Sequence, residues 1–576
     1  MTALLELRGL DVRFGAQHAV RGIDLAIGAG ETVALVGESG CGKSTTALAL
    51  MGLLPTAARI EGRVLFEGRD LAALPARGLR DLRGNAIAMI FQEPMTSLNP
   101  VLTIGDQVGE VLRRHQGLSA AAARRRAIEL LDLVRLPDPQ RRVDDHPHRL
   151  SGGQRQRAMI AMAVACRPRL LVADEPTTAL DVTIQAQVLE LLDALRREFA
   201  MSLLLITHDL GVVGQWADRV AVMHDGRIVE QDTTEAVFTR PRHAYTRGLL
   251  AASLSLDGDR HYRAGRLAEI GNALNPASGR RDFSVVRGGA PERRPDPAPP
   301  AAAAAPLLRV EDLRVAYPAA RGRTAAVDGV SFDVRHGETV GLVGESGCGK
   351  STLGKAILRL LEPSAGRIVY DGTDLVALHG RRLQPYRRRI QMVFQDPYAS
   401  LNPRHSVGDI LDAALRVHGV ADRAERLRRA RRIVDQVGLP AATLARWPHE
   451  FSGGQRQRIG IARALVLEPQ LLVCDEPVSA LDVSVQAQVL NLLVDLKREL
   501  GLSYLFVSHD LSVVRYIADR VLVMHDGRIV ERGDQADIWR HPAHPYTRSL
   551  IAAVPRHPYR SAAPDEAQAA CAVAAS

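Results

Sequence analysis

Short runs of apolar residues, each bounded by polar ones, mark the predicted strands of this chain. The runs at residues 31–36, 170–173 and 203–206 are typical of central strands in a parallel sheet. Residues 43–51 read as a helix that follows the first of these strands. At residues 221–229 the letters DG stand between two apolar runs, which predicts an antiparallel hairpin. The pattern therefore predicts an α/β fold, in which a parallel core sheet carries antiparallel additions.

The same landmarks return in the second half of the chain at a nearly constant distance. The pentapeptide SGGQR begins at Ser151 and again at Ser452, and apolar runs end at Asp174 and at Asp475. Both separations are 301 residues, a period far too long for a solenoid repeat, so the sequence predicts a tandem duplication. The predicted parts are a first domain at 1–254, a linker at 255–306, a second domain at 307–560 and a flexible tail at 561–576.

The predicted linker differs in composition from the two copies that flank it. From about residue 255 to 307 the periodic apolar pattern fades, and residues 291–300 read PERRPDPAPP. Proline-rich segments of this kind adopt semi-extended conformations, so this part of the linker is expected to act as a tether. The last residues, from about 561, are rich in alanine and are expected to fray.

Composition narrows the class of protein. The 576 residues carry a formal net charge of +9, but the arginines are spread along the chain and alternate with acids, so no nucleic-acid partner is expected. The five cysteines show no metal-site spacing. No run approaches the roughly 18 apolar residues that cross a bilayer, and the first residues do not resemble a signal peptide. A cytoplasmic location is expected.

The letters GESGCGKST occur at residues 37–45 and again at 344–352, which is the G-x-x-x-x-G-K-[ST] pattern twice. Glycines at these positions let successive backbone N–H groups form an anion-binding nest at a helix N-terminus. The chain has only four lysines among its 74 basic residues, and two of them are Lys43 and Lys350 in these loops. A compact ammonium fits inside such a loop, whereas a planar guanidinium does not. The sequence therefore predicts two sites for a nucleoside triphosphate.

Carboxylates and histidines follow the next predicted strands in both copies. Asp174-Glu175 and Asp475-Glu476 end apolar runs, and each pair can orient a magnesium shell and polarise an attacking water. At the end of the following strand, His208 and His509 could contact a γ-phosphate. We therefore expect catalytic roles for Glu175, His208, Glu476 and His509.

The SGGQ segments identify the family. Ser151, Gly152, Gly153 and Gln154 open a predicted helix and form a second anion-binding N-terminus, as do Ser452, Gly453, Gly454 and Gln455. Together with the loops and the Asp-Glu and His residues, they resemble the ATP-binding-cassette family over essentially the whole chain. The resemblance implies two tandem P-loop NTPase domains, each with a helical subdomain.

The resemblance also implies further site residues. Gln92 and Gln395 would touch magnesium and relay to a membrane partner, Asp181 and Asp482 match the D-loop, and Phe14 and Tyr317 fall where an aromatic ring stacks on adenine. With ATP and Mg²⁺ as the implied ligands, the predicted metal-binding residues are Ser44, Gln92, Asp174, Ser351, Gln395 and Asp475. The loop residues predicted to bind nucleotide are Gly37, Ser39, Gly40, Gly42, Lys43, Ser44, Thr45, Gly344, Ser346, Gly347, Gly349, Lys350, Ser351 and Thr352.

In this family two cassettes pack head to tail, so that each ATP lies between the loop of one copy and the SGGQ of the other. Site one would pair Lys43 with Ser452, and site two would pair Lys350 with Ser151. Every motif is intact in both copies, so two hydrolytic sites are expected.

The segments around the glutamines narrow the resemblance to the dipeptide and oligopeptide importer ATPases. These segments read IFQEPMTSLNP at 90–100 and VFQDPYASLNP at 393–403, and the Tyr-Thr-Arg segments begin at 245 and 546. The fused layout, with LRVHG at 415–419, is similar to the glutathione-importer ATPases of this group. The resemblance implies two separate transmembrane permease subunits, a periplasmic substrate-binding protein, and a peripheral location at the cytoplasmic face of the inner membrane.

Other classes of function stay open at this point. A soluble tandem cassette protein acting on ribosomes usually joins its cassettes by a long, charged helix, whereas this linker is rich in proline and alanine. A DNA-repair cassette protein would need zinc-binding cysteine pairs, and an exporter is disfavoured because no membrane helices are fused. The sequence leaves the cargo open among glutathione, dipeptides, longer peptides and metal chelates.

Overall fold

The computed structural model of the chain describes residues 3–178, 180–254, 256, 261–274, 281–286, 305–319, 322–479, 481–555 and 559. The proline- and alanine-rich residues 291–304 and the tail 561–576, for which a tether and a frayed end are predicted, lie outside these ranges, and so do Ala179 and Ala480 beside the D-loops. Two copies of one architecture account for most of the described chain. Within it, no helix is both long enough and apolar enough to span a bilayer.

Among the described residues, the first copy contains ten strands and eleven α-helices. The strands are β1 Leu5–Phe14, β2 Gln17–Ile27, β3 Thr32–Val36, β4 Ala58–Phe66, β5 Arg69–Asp70, β6 Ile87–Ile90, β7 Leu170–Asp174, β8 Ser202–Ile206, β9 Arg219–His224 and β10 Arg227–Thr233. The helices are α1 Lys43–Leu50, α2 Ala76–Leu82, α3 Pro94–Ser97, α4 Ile104–Gln116, α5 Ala120–Leu133, α6 Pro139–Arg142, α7 Gly152–Val164, α8 Val182–Phe199, α9 Leu210–Trp216, α10 Thr234–Thr239 and α11 Ala244–Ala252. Short 3-10 turns lie at Leu71–Ala73 and Pro147–Arg149.

A two-stranded hairpin and the second copy follow. The hairpin is β11 Glu269–Leu274 with β12 Arg281–Val286. The strands of the second copy are β13 Leu308–Ala319, β14 Gly322–Val334, β15 Thr339–Val343, β16 Ala365–Tyr370, β17 Thr373–Asp374, β18 Ile390–Val393, β19 Leu471–Asp475, β20 Ser503–Val507, β21 Arg520–His525 and β22 Arg528–Asp534. Its helices are α12 Lys350–Ile357, α13 Gln384–Arg389, α14 Pro397–Ser400, α15 Val407–Val417, α16 Arg423–Gln436, α17 Gly453–Leu465, α18 Val483–Leu500, α19 Leu511–Ile517, α20 Gln535–Arg540 and α21 Pro545–Ala552, and its 3-10 turns are Gly380–Leu383, Ala441–Ala445 and Pro448–Glu450.

Each copy is built on two sheets. In the first copy the larger sheet has the order β10-β9-β3-β8-β7-β6, with parallel pairing throughout except at the β9–β10 hairpin. All five residues of β3 are buried, as expected for a central parallel strand that is covered on both faces. The smaller sheet, β2-β1-β4-β5, is antiparallel. The second copy repeats both strand orders, which confirms the predicted α/β fold with antiparallel additions.

The parallel order places the functional segments at one edge of the larger sheet. Strands β3, β6, β7 and β8 run in the same direction, so their carboxyl ends meet there. Those ends lead into the phosphate loop, Gln92, the Asp174-Glu175 pair and His208. Helices α4 and α5 pack against each other and against α7, which carries the SGGQ segment at its start. The helical subdomain therefore packs on the helix that begins with SGGQ.

Residues 261–270, which we call the strap, lie within the predicted linker but pack on the second copy. The Tyr262 hydroxyl donates to Asp519 Oδ1 at 2.8 Å, and Lys497 Nζ donates to Asp519 Oδ2 at 2.9 Å and to the Tyr262 hydroxyl at 3.0 Å. Lys497 is 7% exposed. A buried ammonium needs such partners, because an unpaired charge in the interior is costly. The strap thus joins the core of the second copy, while the predicted domain boundaries stay predictions.

The strap is also held through its backbone by helix α18. Asn491 accepts a hydrogen bond from Leu267 N at 3.1 Å and donates one to Leu267 O at 3.0 Å. Gln488 Nε2 donates to Ile270 O at 2.7 Å. Beyond this point, strand β11 lies against both α11 and α18. Side chains of α18 therefore hold the strap on the second copy through hydrogen bonds to the strap's backbone.

Candidate nucleotide sites

The phosphate loop of the first copy wraps around the lysine at the start of α1. Lys43 is 5% exposed, and its Nζ donates to Gly37 O at 2.8 Å and to Glu38 O at 2.9 Å. Gly42 has a φ of +109°, and a Cβ there would lie 2.5 Å from Ala19 O, so no other residue fits without moving the backbone. The loop thus holds an ammonium ready to turn from its own carbonyls to an anion.

The residue after the lysine connects the loop to strand β7. Ser44 Oγ donates to Asp174 Oδ1 at 3.1 Å, and in the second copy Ser351 Oγ donates to Asp475 Oδ1 at 2.9 Å. Burial raises the pKa of Asp174 to about 6, and the charge of the neighbouring Glu175 acts in the same direction. Burial also raises the pKa of Asp475. The structure therefore brings together the hydroxyl and the carboxylate that the sequence predicted as neighbours.

The second carboxylate of each pair has the opposite electrostatic behaviour. Glu175 Oε1 lies 3.4 Å from His208 Nδ1, and Glu175 Oε2 accepts hydrogen bonds from Gln92 at 2.8 Å and Thr178 at 2.9 Å. Burial acts to raise the pKa of Glu175, but the hydrogen bond and charge of His208, with Thr178 and Lys43, outweigh it and lower the pKa to about 2. Glu175 is therefore ionised across the physiological range.

Glu175 also has a strained backbone. Its φ is +48°, in the left-handed region that residues other than glycine seldom occupy, and Glu476 has the same value in the second copy. Glu476 accepts from Gln395 at 2.8 Å and lies 3.1 Å from His509 Nδ1, and its pKa is lowered by that histidine against the effect of burial. The same strain at both positions indicates that the surrounding structure fixes where this carboxylate points.

The SGGQ segments form capped helix starts. Ser151 Oγ accepts from Gln154 N at 3.4 Å, while Gln154 Oε1 accepts from Ser151 N at 3.1 Å, and Ser452 with Gln455 repeats this capping box. A Cβ on Gly153 would lie 2.8 Å from Ile184 Cγ2, and one on Gly454 would lie 2.2 Å from Val485 Cγ1. By contrast, Gly152 has open space where its Cβ would be. The helix N-terminus is therefore packed on one side and open on the other.

The two copies touch each other at their phosphate loops. Ser39 N in the first loop donates to Asp482 Oδ2 of the second copy at 3.3 Å. Thr183 Oγ1, in the first turn of α8, donates to Glu345 Oε1 in the second loop at 2.7 Å. Asp181 and Asp482 also cap α8 and α18, so each of these helices begins beside the other copy's loop. The contact between the two copies is therefore reciprocal.

A cavity of about 170 Å³ lies between the copies, next to both histidines that are predicted to be catalytic. Both copies line it with equivalent residues: His208 and His509, Asp209 and Asp510, Gln185 and Gln486. Gln185 Nε2 donates to Asp209 Oδ2 at 2.9 Å. The two histidines predicted to be catalytic thus face a shared space between the copies.

Sequence reasoning missed several residues that hold the loops. The hydroxyl of Tyr245 accepts from Glu38 N at 3.3 Å, and that of Tyr546 accepts from Glu345 N at 3.1 Å. Their rings pack on His224 and His525 of the predicted hairpins, with centroids 4.2 and 4.0 Å apart. The repeated Tyr-Thr-Arg and His-Asp-Gly segments were the available signal, but their spacing in sequence does not indicate that they meet.

The two aromatic residues assigned to adenine occupy different surroundings. Tyr317, in β13, is 42% exposed, and its hydroxyl lies 3.3 Å from Thr352 Oγ1 beside the second loop. Phe14, at the end of β1, is partly buried against the core of the first copy. The position of Tyr317 is compatible with contact to a nucleotide, whereas Phe14 also serves packing. Both roles stay predictions.

We predict that the Glu175→Gln change lowers the pKa of His208. The carboxylate raises this pKa against the effect of burial, so its removal leaves burial dominant. Histidine NMR, with the His208 signal assigned by its loss in His208→Gln, measures the shift. His509 serves as the internal control because its partner Glu476 is unchanged; a His208 titration that does not move would contradict the pairing.

Comparisons with known proteins agree with this geometry. The profile described as ABC transporter matches residues 20–178 and 327–479, and that of the oligopeptide/dipeptide transporter C-terminal region matches 229–279 and 530–572. The chain is 48% identical over 570 residues to the glutathione import ATP-binding protein GsiA of Pectobacterium atrosepticum, covering 96% of this chain and 89% of that protein. It is 48% identical to the peptidoglycan transport ATP-binding protein YejF of Agrobacterium fabrum, with 96% of each chain covered.

A solved structure, a dimeric ATP-binding cassette in a post-hydrolysis state bound to ADP and phosphate, matches with a TM-score of 0.37 at 28% identity, covering 40% of this chain and 99% of that one. The profile of the cassette matches both copies, and the relatives match almost the whole chain. This chain belongs to the ABC transporter family, as a tandem ATPase with two cassettes.

Proposed function

We propose that this chain is the ATP-hydrolysing subunit of an importer for peptides, with glutathione, dipeptides and oligopeptides as candidate cargo. The observation that carries the proposal is the oligopeptide/dipeptide transporter C-terminal region, which matches once after each cassette. Within that region, the hydroxyls of Tyr245 and Tyr546 accept hydrogen bonds from the two phosphate loops, which supports a role for the region beside the nucleotide sites. The relative named for glutathione import supports the cargo class.

The cassettes form two composite sites in this proposal. Lys43 works with Ser452 at site one, and Lys350 works with Ser151 at site two. The Ser39–Asp482 and Thr183–Glu345 hydrogen bonds support it, since each joins the loop of one copy to the D-loop region of the other. A nucleotide bound at either loop would then lie between the copies and stabilise their contact.

The site residues fit a magnesium–nucleotide ligand. Ser44 and Asp174 offer oxygen atoms side by side, and Gln92 donates through Nε2, which leaves its Oε1 for another ligand. Oxygen donors of these types are the ones Mg²⁺ prefers. When bound, the ion would neutralise charge on the phosphates. Ser351, Asp475 and Gln395 repeat the set in the second copy.

The chemistry assigned to the chain itself rests on Glu175 and His208. The ionised Glu175 accepts hydrogen bonds from three side chains, which fixes its orientation, and it can accept one from an attacking water. Glu175 raises the pKa of His208 against the effect of burial, and a protonated His208 could donate to an anionic phosphate oxygen. Glu476 and His509 have the corresponding roles at the other site.

We predict that Glu175→Gln and Glu476→Gln each depress ATP turnover strongly. The loss of a preorganised polar group at such a site costs about 10²–10³ in rate. Steady-state phosphate release measures the effect, with Glu198→Gln, an exposed glutamate on α8, as the control. If either single change left turnover near that of the unaltered chain, the proposal of two hydrolytic sites would be wrong.

The head-to-tail pairing makes a second prediction with two double variants. Lys43→Ala with Ser452→Ala alters one composite site, so turnover should match that of Lys43→Ala alone, because groups that act together are not additive. Lys43→Ala with Ser151→Ala alters both sites and should lower turnover further. Phosphate release measures both, and the reverse order of the two double variants would contradict the pairing.

The importer role itself is tested by its partners. Affinity purification of the chain from detergent-treated membranes of its own cells should recover two polytopic permease subunits. As a control, the same purification from the ribosomal fraction should recover no stoichiometric partner. Co-purification with ribosomes instead would favour the alternative, a soluble tandem cassette protein, and would overturn the importer proposal.

A further inference from the structure

The strap has a docking surface on the second copy, and the equivalent surface of the first copy is open. The strap covers α18 and the end of α19, where Asn491 and Tyr516 are each 1% exposed. The residues at the same positions in the first copy, 301 earlier, are Glu190 on α8 and Gln215 on α9, and both are exposed. The duplication therefore supplies the same helix face twice, covered in one copy only among the residues that the structure describes.

The open face forms a groove of about 790 Å³ between the copies. One wall is α8 and the end of α9, with Thr183, Gln187, Glu190 and Trp216, and the other is the region of α21, with Ser549 and Pro555. Gln187 is already positioned as its counterpart is: Arg157 donates to Gln187 Oε1 at 2.8 Å, just as Arg458 donates to Gln488 Oε1 at 3.2 Å. The Nε2 atom of Gln187 can therefore donate to a backbone carbonyl, just as Gln488 Nε2 donates to the carbonyl of Ile270 in the strap.

We propose that this groove receives residues 556–576, the segment of this chain that follows Pro555 and of which the structure describes Tyr559 alone. Pro555 lines the groove, so the segment begins at the place where it would bind. Its effective concentration at the groove is therefore high. Arg556 and Arg560 are the basic residues near the start of this segment, and the acidic Glu190 and Glu345 line the groove. An acidic residue at position 190, where the second copy has the neutral Asn491, suits a segment that begins with basic residues.

The sequence comparison joins the two segments independently. The oligopeptide/dipeptide transporter C-terminal region matches residues 229–279, which include the strap, and residues 530–572, which include most of the segment proposed here. The first of these matches is seen docked on the opposite copy. The second match, residues 530–572, includes Pro555, which lines the equivalent surface of the first copy.

The groove differs from its counterpart in one respect that bears on how it is filled. Gly248 of α11 lets the hairpin approach closely, since a Cβ there would lie 2.7 Å from Val285 Cγ2. Its equivalent on α21 is Ser549, whose side chain occupies that space and bonds to Tyr546 O at 2.9 Å. A single extended segment therefore fits this groove better than a hairpin like β11–β12.

Trp216 lines the groove and gives a direct readout. In a chain with Trp447→Phe and Trp539→Phe, Trp216 is the sole tryptophan, and its fluorescence reports on the groove. We expect that deletion of residues 556–576 shifts its emission to the red and increases acrylamide quenching. In the full chain, Glu190→Arg should produce the same shift, because it repels the basic start of the segment; in the deleted chain it should add nothing.

The matched control is Glu198→Arg, an exposed charge reversal on the same helix that does not line the groove, and it should leave Trp216 unchanged. Unaltered quenching after the deletion would overturn the proposal, and so would an equal effect of Glu190→Arg with and without the segment. Shielding of Trp216 that persists in the deleted chain and rises with protein concentration would assign the groove to a second copy of this chain. Shielding that requires added membranes would assign it to a membrane partner, and both results overturn the proposal.

Discussion

The contact between the phosphate loop of one copy and the D-loop region of the other is the constraint on which the rest of the structure depends. Asp482 caps α18 and also accepts a hydrogen bond from Ser39 N, while Thr183 in α8 bonds to Glu345. These helices lead back to the strands that end in the carboxylates, so the position of one copy is linked to the geometry of the other copy's site. One covalent chain keeps both halves at the high mutual concentration that this contact needs.

Within each site, two neighbouring carboxylates have been given opposite properties by their surroundings. Asp174 is buried beside a hydroxyl, and its pKa is raised to about 6, whereas Glu175 is paired with a histidine and its pKa is lowered to about 2. Two adjacent negative charges in a buried place would repel each other strongly. Glu175 is therefore ionised at neutral pH and can accept a proton. The raised pKa of Asp174 would fall if a cation bound beside its carboxylate.

The sequence predicted the parts of this molecule that depend on local pattern. Strand β3, helix α1, the hairpins and the capped starts of α7 and α17 agree with the predicted runs and motifs, because burial period and capping chemistry are written in neighbouring residues. The Ser44–Asp174 contact could be expected as well, since parallel strands bring their carboxyl ends together. The Tyr245–Glu38 bond, Thr183–Glu345 and the strap could not, because each joins segments far apart in sequence with no pattern that encodes their distance.

Duplication gives the two copies equivalent surfaces, but the segment that joins the copies can cover only one of them. The chain leaves α11 toward the second copy, so the strap covers α18, and Tyr262 reaches Asp519 and Lys497. At the matching positions the first copy has Asp218 and Arg196, and Arg196 bonds instead to Asp193 and Gly30 O. Arg196 thus has partners within its own copy, and the exposed Glu190 stands where the second copy has the buried Asn491 that bonds to the strap's backbone. Glu345, in the loop of Lys350, lines the groove on α8, so whatever covers α8 there lies beside that loop. The surroundings of the two sites therefore differ even though their predicted catalytic residues match.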